Sequence, residues 1–370
     1  MDMMYVEDCC EILDSMRVPI TASDREEGEY PYYGANGIQD HVADYIFDDE
    51  LVLLAEDGGN FGSKERPIAY RVSGKCWVNN HAHVLKPKAG LDVDYLCYSL
   101  MFYKVDGMVN GATRQKLTQA AMRKMKIPSR SMNEQLHIVD ELNRILKIKE
   151  QRQQELTLLD DLIKARFVEM FGSINNNVYG FDIRTLQDVC EQIKDGTHQT
   201  PTYTEDVDNS FKFLSSKDVT SGKIDWSKIK YIPADLHEEL YARIKPQKGD
   251  ILLAKNGTTG VAAIVETDDV FDIYVSLALL RPIDMNSVYL WAAINSAETK
   301  HQFDGSLKGI GVPNLHLGEI KKTKIIVPPI ELQIEFEEFA KQVDKSKVAV
   351  QKALDETQIL FDSLMQKYFG

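Results

Sequence analysis

The chain carries the same long helical segment twice, 198 residues apart. Residues 135–172 read QLHIVDELNRILKIKEQRQQELTLLDDLIKARFVEMFG, and residues 333–370 read QIEFEEFAKQVDKSKVAVQKALDETQILFDSLMQKYFG, without a gap and with the same Phe-Gly end. A repeat of this period marks a duplicated architecture. Two copies of one unit also predict a pseudo-two-fold molecule, which suits a target with two half-sites.

Weaker matches extend the repeat upstream of the helices. GATRQKLTQAAMRKMKIP (111–128) resembles GVPNLHLGEIKKTKIIVP (311–328) at an offset of 200, which pairs Arg114 with Asn314. LVLLAEDG (51–58) resembles DILLAKNG (250–257), and both are predicted to be buried strands that end in glycine turns. The repeated unit is therefore a mixed globular segment followed by a long helix. Its class is α/β or α+β, and the sequence alone does not choose between them.

Both long segments have apolar residues at alternating steps of four and three. Such a stripe must bury against something. Each segment of about 38 residues would span roughly 57 Å as a helix, and a lone polar helix of that length is poorly stable in water. We therefore predict one antiparallel two-helix coiled coil, the alternative being that each helix packs on its own globular segment. The residues predicted to be buried along the coiled coil are Leu142, Ile145, Leu156, Val343, Leu354 and Phe361.

The composition, 44% hydrophobic and 27% charged, is that of a globular protein with room for two or three domains. There is no apolar run of membrane-spanning length and no secretory signal, so we expect a cytoplasmic protein with no membrane partner. The five cysteines include no C-x-x-C pair and are expected to be reduced thiols rather than a zinc site. A net charge of −14 argues mildly against nucleic-acid binding. Binding depends on local patches, however, and basic residues cluster near Arg114 and Lys116.

No catalytic motif stands out. KNGTTG (255–260) lacks the lysine and the hydroxyl of a nucleotide-binding loop, and no protease or hydrolase signature occurs. Asp195 and His198 in KDGTH form either an acid–base pair or, more often for such a motif, a turn with hydrogen-bonding side chains. His81 and His83 in NNHAH are predicted to lie on one exposed strand face within a strand over residues 76–87. They lack an evident third metal ligand.

The polar turns of both globular segments suit the reading of DNA bases. They combine amide, guanidinium, imidazole and hydroxyl groups, which pair with guanine and adenine edges. Asn, Gly and Thr are equally the residues that make turns. The residues themselves leave these two interpretations open.

In order and spacing, these segments resemble the specificity subunit of type I restriction–modification enzymes. The resemblance covers essentially the full length, and no single string carries it alone. The matching strings are YPYYGANGI (30–38), LLAEDGGNF (53–61), WVNNHAHVL (77–85), GATRQKLT (111–118), IKDGTHQTP (193–201), GDILLAKNGTTG (249–260) and the Pro-Pro-x-x-x-Gln entry to the last helix (328–333).

The resemblance implies target-recognition domains at 1–130 and 173–329 and conserved spacer helices at 131–172 and 330–370. It implies double-stranded DNA as a partner, together with two modification (methyltransferase) subunits and with restriction subunits. It also implies that this chain is not an enzyme and binds no cofactor, with S-adenosylmethionine, ATP and Mg²⁺ held by partner subunits. The alternative from another class is a coiled-coil scaffold whose globular ends bind proteins.

Together, the polar turns and the resemblance give a set of expected DNA contacts. In the first globular segment these are Asn36, Lys64, Arg66, Asn80, His81, Arg114, Gln115 and Lys116. In the second they are Lys194, Thr197, His198, Lys255, Asn256, Thr258, Lys308 and Asn314.

Overall fold

A computed structural model describes residues 2–111, 114–219, 222–307 and 313–370. Lys308, an expected DNA contact, lies outside these residues. The chain divides into two compact units, which we call the first unit (1–153 with 352–370) and the second unit (154–351). In the described part of the chain, no helix has both the length and the apolar composition needed to cross a membrane.

The first unit is built on a six-stranded mixed sheet in the order β2-β7-β5-β6-β3-β4, flanked by two-stranded pairs β1-β10 and β8-β9. The central strand β5 ends in a continuous apolar run that is fully buried, as the sequence predicted. The elements are β1 Met3–Tyr5, α1 Val6–Cys9, β2 Cys10–Ile12, β3 Glu27–Gly34, β4 Gly37–Val42, β5 Phe47–Ala55, β6 Ala69–Val78, β7 Ala82–Pro87, α2 Val93–Met101, β8 Val109–Asn110, β9 Lys116–Leu117, α3 Gln119–Arg123, β10 Lys126–Pro128 and α4 Met132–Phe171.

The second unit has a four-stranded sheet, β12-β18-β15-β16, a three-stranded sheet, β14-β13-β17, and the pair β11-β19. Mixed sheets with helices in both units confirm the predicted class. The elements are β11 Asp182–Thr185, α5 Leu186–Val189, β12 Cys190–Asp195, β13 Ser210–Leu214, β14 Lys230–Pro233, α6 Ala234–Arg243, β15 Ile251–Ala254, β16 Ala262–Ile264, β17 Phe271–Ile273, β18 Leu277–Pro282, α7 Ser287–Ile294, α8 Ala297–Ser306, α9 Leu317–Lys322, β19 Lys324–Val327 and α10 Ile330–Phe369.

The prediction of one strand over residues 76–87 is wrong in one respect. The structure divides it into the end of β6, a turn at residues 79–81, and β7. His81 therefore lies in the turn, whereas the side chain of His83 is fully buried on β7. The two histidines do not share an exposed strand face, because the Asn-Asn-His turn interrupts the alternation on which the prediction rested.

The two helices pack antiparallel within each unit. In the first unit, the Tyr368 hydroxyl donates to Glu141 Oε2 at 2.6 Å, while Lys149 bonds Gln358. In the second unit, Arg166 Nη2 donates to Glu335 Oε1 at 3.2 Å. Five of the six residues predicted to be buried along this contact are buried, and Leu156 is half-buried.

Each unit also buries parts of both helices in a core that includes its globular segment. Ile138 and Leu142 of α4 join Phe361 and Leu364 of α10 in the first core, together with residues of the sheet. The equivalent core of the second unit takes in the end of α4 and the start of α10. The two alternatives for helix packing are therefore combined, since the helices contact each other and the globular segments.

The ends of the helices are anchored in the same way in both units. Gln135 accepts a hydrogen bond from the backbone N–H of Asp92 at 2.8 Å, and Gln333 accepts one from Asn286 at 2.9 Å. Both glutamines are buried. The aromatic ring of Phe369, from the end of α10, lies 5.3 Å from that of Tyr95 in the first unit. The sequence repeat thus corresponds to a repeated structural junction.

The segment that precedes each long helix repeats at an offset of 198, not 200. The backbone N–H of Leu117 donates to the carbonyl of Glu56, and that of Leu315 donates in the same way to Lys255. The Tyr95 hydroxyl donates to the Pro128 carbonyl and the Tyr289 hydroxyl to the Ile326 carbonyl, so Pro128 corresponds to Ile326 and not to Pro328. The similarity of Pro128 to Pro328 misled the sequence comparison. As a consequence, the structural equivalent of Asn314 is Lys116, which lies opposite Asp57 as Asn314 lies opposite Asn256.

Candidate nucleic-acid interface

The first unit brings three separate chain segments together at the end of β5. The backbone N–H groups of Glu56 and Asp57 donate to the His81 carbonyl at 2.8 and 3.4 Å. The N–H of Gly58 donates to the Gln115 carbonyl at 3.2 Å. The segment before α3 and the turn before β7 are thereby held on either side of residues 56–58. We call this the first-unit turn cluster.

Asp57 is the centre of the side-chain contacts in the first-unit turn cluster. Its Oδ1 accepts a hydrogen bond from Arg114 Nη2 at 2.8 Å and lies 2.6 Å from His81 Nδ1. The Arg114 side chain is 58% exposed, whereas the Asp57 side chain is 18% exposed. A mostly buried carboxylate therefore holds an arginine whose guanidinium faces solvent, which is the environment from which an arginine can contact DNA.

A buried ionic network lies beside this cluster. Asp14 Oδ2 lies 2.7 Å from His83 Nδ1, while His83 Nε2 lies 2.9 Å from the Leu117 carbonyl. Arg17 Nη1 donates to Glu56 Oε2 at 2.6 Å. Both ring nitrogens of His83 therefore face oxygen atoms, and the Arg17 guanidinium lies between the two carboxylates.

Two carboxyl groups of this network have shifted pKa values. Burial by itself would raise the pKa of Asp14, but hydrogen bonds from His83, Gln119 and the Val84 N–H lower it below its usual value. Burial would also raise the pKa of Glu56, but hydrogen bonds from Arg17 and Lys116 lower it below its usual value. Both groups are therefore ionised near neutral pH.

The ligand atoms of Asp14, Glu56 and His83 lie within 4.8 Å of one another, as they would around a metal ion. The guanidinium of Arg17 already supplies the balancing positive charge, with Nη1 2.6 Å from Glu56 and Nη2 3.5 Å from Asp14. A cation bound there would have to displace these bonds and the Leu117 carbonyl bond of His83. The donor set therefore fits an ion-pair network better than a metal centre.

The second unit places different groups at the equivalent positions. Asp195 ends β12, which pairs with the proline-terminated β18, and Asp14 lies two residues after β2, which pairs with the proline-terminated β7. It accepts a hydrogen bond from Lys255 Nζ at 2.9 Å, and Arg243 Nη2 lies 3.4 Å away. Burial would raise the pKa of Asp195, but the bond and charge of Lys255, with His198 and Arg243, lower it. His198 Nε2 is 3.3 Å from Asp195 and its side chain is 69% exposed.

This arrangement changes what is expected of two predicted contacts. The Lys255 side chain is only 7% exposed and is committed to Asp195, and Thr197 is buried, with its N–H bonded to the Ile273 carbonyl at 3.1 Å. Neither side chain faces solvent as the expected DNA contact requires. The sequence does not show that residue 255 points inward, because residue 195 lies 60 residues away along the chain. His198 contacts Asp195 within the turn that follows β12.

The second unit also has a pair of amides where the first has charges. Asn256 and Asn314 lie opposite each other in an isolated bridge, at the positions of Asp57 and Lys116. In the described part of the chain, the side-chain oxygens of both asparagines are buried without a hydrogen-bond partner. Thr258 is exposed two residues beyond Asn256, and Lys194 is exposed on β12.

The remaining predicted contacts of the first unit divide into two groups. Asn36 belongs with the turn cluster, since its Nδ2 donates to the Gly58 carbonyl at 3.0 Å. Lys116 also belongs there, with its ammonium 2.9 Å from Glu56 Oε1. Asn80 and Gln115 are exposed in the segments that form the cluster. Lys64 and Arg66 are exposed in the loop after β5, where the backbone N–H of Arg66 donates to Ser63 Oγ at 2.9 Å. DNA contact by all these residues stays a prediction.

Several residues of these clusters were not predicted from the sequence. Asp57 had a local signal, because an Asp-Gly pair after a buried strand is typical of a turn. Asp14, Arg17 and Arg243 had none. Asp14 and Arg17 contact each other locally, but their partners His83 and Glu56, and the partner of Arg243, lie far along the chain and meet them only when the sheet forms.

Comparison with known proteins agrees with this geometry. The family model for the type I restriction modification DNA specificity domain matches the chain twice, at residues 1–158 and 180–357. The chain is 28% identical over 340 residues to a Haemophilus influenzae protein assigned as a type I restriction enzyme specificity subunit, with 89% of this chain and 83% of that protein covered. It is 21% identical over 391 residues to the type I restriction enzyme MjaVIII specificity subunit of Methanocaldococcus jannaschii, with 95% and 89% covered.

Solved structures show the same fold. The type I restriction–modification S subunit from M. genitalium superposes with a TM-score of 0.56 at 14% identity, covering 100% of this chain and 96% of that one. A chain from a structural study of complex assembly and conformational transition of the type I system gives 0.61 at 15% identity, covering 100% and 97%. With two family matches that span most of its length, this chain belongs to the type I restriction–modification DNA specificity family.

Proposed function

We propose that this specificity subunit reads a DNA target in two halves, one with each unit, and contributes no catalytic group of its own. The observation that carries the proposal is the equivalence of the two clusters. The same backbone junction, from Glu56 to Leu117 and from Lys255 to Leu315, presents different polar side chains in each unit. A common frame with different surface groups is what two unlike half-sites require.

The chemistry of the clusters supports recognition rather than catalysis. The exposed side chains are those that bond base edges and phosphates, such as Arg114, Lys116 and Thr258. The carboxylates beside them are bonded to cationic partners, as Asp195 is to Lys255. Methyl transfer and cleavage would then belong to partner subunits, which would hold S-adenosylmethionine, ATP and Mg²⁺.

The experiment that tests this proposal maps modified bases in hosts that differ only in this gene. The gene is expressed with its modification subunit, and genomic DNA is sequenced for methylated bases. We expect one methylated motif with two specified blocks and an unspecified gap, which disappears when this gene alone is removed. Methylation that persists without the gene, or a motif with one continuous block, would contradict the proposal.

We further propose that two copies of the modification subunit bind to this chain. Leu162 of α4 and Leu360 of α10 are equivalent in the repeat and are 46% and 51% exposed. Leu136 and Ile334 form a second equivalent pair, 48% and 44% exposed. Each unit contains one member of each pair. Exposed apolar residues kept in both copies of a repeat favour two identical partners, since each partner would bury the same surface.

This partner proposal is tested by substituting the equivalent leucines separately and together. Leu162→Asp and Leu360→Asp should each remove one modification subunit from the complex, and the double variant should remove both, as measured by native mass spectrometry. Leu158→Asp is the matched control, because Leu158 is 66% exposed on the same helix and its repeat equivalent is Glu356. A double variant that still binds two subunits would contradict the assignment of this surface.

A further inference from the structure

The contact between Asp57 and Arg114 has features that a surface ion pair does not need. A single carboxylate oxygen, Oδ1, contacts both Arg114 Nη2 at 2.8 Å and His81 Nδ1 at 2.6 Å. These three residues come from three chain segments that only the fold brings together. The carboxylate is mostly buried, while the guanidinium it holds is more than half exposed. Asp57 therefore holds one side of the Arg114 guanidinium, and the other side is exposed to solvent.

Gly58 makes room for this arginine. Its φ of +61° lies in the left-handed region that favours glycine. A side-chain carbon at this position would lie 3.2 Å from Arg114 Nε and 3.3 Å from Nη2. The guanidinium thus lies against the backbone of residue 58, and the Asp-Gly pair holds it by a hydrogen bond and by close packing.

The second unit keeps the turn but not this arrangement. Gly257 occupies the place of Gly58, with a φ of +77°. Among the described residues, nothing lies within 4 Å of the position that a side-chain carbon would take there. Asn256 replaces Asp57. The carboxylate is therefore not required to form the turn, which indicates that Asp57 serves the group it holds.

We propose that Arg114 reads a guanine in the half-site bound by the first unit, and that Asp57 is the positioning residue that orients it. This inference rests on the proposed function. A guanidinium fork matches the O6 and N7 acceptors of guanine in the major groove. Fixing the fork beforehand reduces the rotamer freedom lost on binding. A carboxylate beside the guanidinium also weakens its attraction for a phosphate, whereas contact with a base edge depends on hydrogen-bond geometry.

The test uses the full chain in complex with its modification subunits, once the methylated motif of the wild type is known. Affinity is measured for the target and for every single-base change, over a series of salt concentrations. Arg114→Gln should lower affinity for the target by about 10- to 100-fold. The loss should be confined to one guanine position in one half, where discrimination disappears, and the salt dependence should be unchanged.

Asp57→Asn should act on the same guanine position with a smaller loss, and Asp57→Glu should restore part of it. Arg184→Gln is the matched control, because Arg184 is 51% exposed and bonds Asp182 at 2.9 Å, as Arg114 bonds Asp57. It should leave the motif and the affinity unchanged. Thermal unfolding of Asp57→Asn, compared with Asp57→Glu, separates a folding defect from a loss of discrimination.

Three results would overturn the inference. An equal loss for all sequences, with the salt slope reduced by about one, would make Arg114 a phosphate contact. Unchanged binding by Arg114→Gln would make the pair an ordinary surface ion pair. An effect of Asp57→Asn at a different base position would show that Asp57 does not act through Arg114. Failure of the proposed function itself is distinguishable, because the wild-type complex would then have no bipartite motif.

Discussion

Asp14 in the first unit and Asp195 in the second lie at the same point of the repeated frame, and their surroundings differ. Asp14 faces the buried ring of His83, with Arg17 shared between it and Glu56. Asp195 faces Lys255, which takes the place of Glu56 in the chain. One position of the frame therefore carries an acid in the first unit and a base in the second.

This difference shows which parts of the repeat are fixed and which are free to vary. The junctions that anchor the helices, at Gln135 and Gln333, keep the same side chain and the same bonds. The residues beside the surface turns keep only the backbone contacts. Duplication thus preserved the frame that joins the helices to the globular segments, while the charge beside each surface changed.

The largest effect is expected from removing the buried carboxylates. Asp14→Asn removes the carboxylate that contacts both His83 and Arg17, and losing one partner of a buried ion pair costs about 3–5 kcal/mol. Asp195→Asn should cost a similar amount, because it leaves the buried Lys255 ammonium without its carboxylate. Hydrogen exchange of the full chain, followed in each unit, measures both. Adding Lys255→Met to Asp195→Asn should recover most of the loss. A loss from Asp195→Asn that Lys255→Met does not recover would contradict the comparison.

The helix junctions should respond alike. Gln135→Ala and Gln333→Ala each leave the backbone N–H of a half-buried residue, Asp92 or Asn286, without its acceptor. We expect a loss of about 1–3 kcal/mol in each unit. Urea unfolding monitored by hydrogen exchange in the two units provides the measurement. A large loss in one unit and none in the other would show that the junctions are not equivalent.

Acid should destabilise the first unit more than the second. The pKa values of Asp14, Glu56 and Asp195 are lowered in the folded protein, so their stabilisation is present above about pH 4 and is lost as the pH falls through the folded values. Burial, partly offset by His237, raises the pKa of Asp272 in the second unit. Its protonation on acidification therefore favours folding.

The acid prediction is measured by comparing hydrogen exchange in the two units between pH 5 and pH 3. Asp14→Asn should reduce the acid sensitivity of the first unit, since the titrating group is removed. Asp272→Asn should remove the stabilisation that protonation of Asp272 gives the second unit at low pH. Loss of protection at the same pH and to the same extent in both units would argue against these assignments.

The sequence predicted the parts of the fold that depend on local periodicity. Regular patterns of apolar residues predict the long helices, the buried runs of β5 and β15, and the repeat itself. They do not predict the split strand at residues 79–81 or the repeat offset of 198, because these depend on turn geometry and strand pairing. The inward direction of Lys255 depends on Asp195, 60 residues away, and no local pattern reports such a contact.

The candidate interface was predicted in location more than in detail. His81, Arg114 and Lys116 were expected to contact DNA, and the fold gathers them around Asp57 and Glu56. The acidic residues that hold them were not singled out, since an isolated aspartate in a turn has many structural uses. Which of these side chains touch bases remains a prediction.

The most direct test of the central claim is to exchange one recognition surface and map the methylated motif. Residues 178–328, which include both strands of the β11-β19 pair, are replaced by the corresponding segment of a relative with a different target. Base-modification sequencing of a host that expresses the hybrid with its modification subunit should show one half of the motif changed and the other half intact. A hybrid motif changed in both halves would contradict the claim that each unit reads its own half-site.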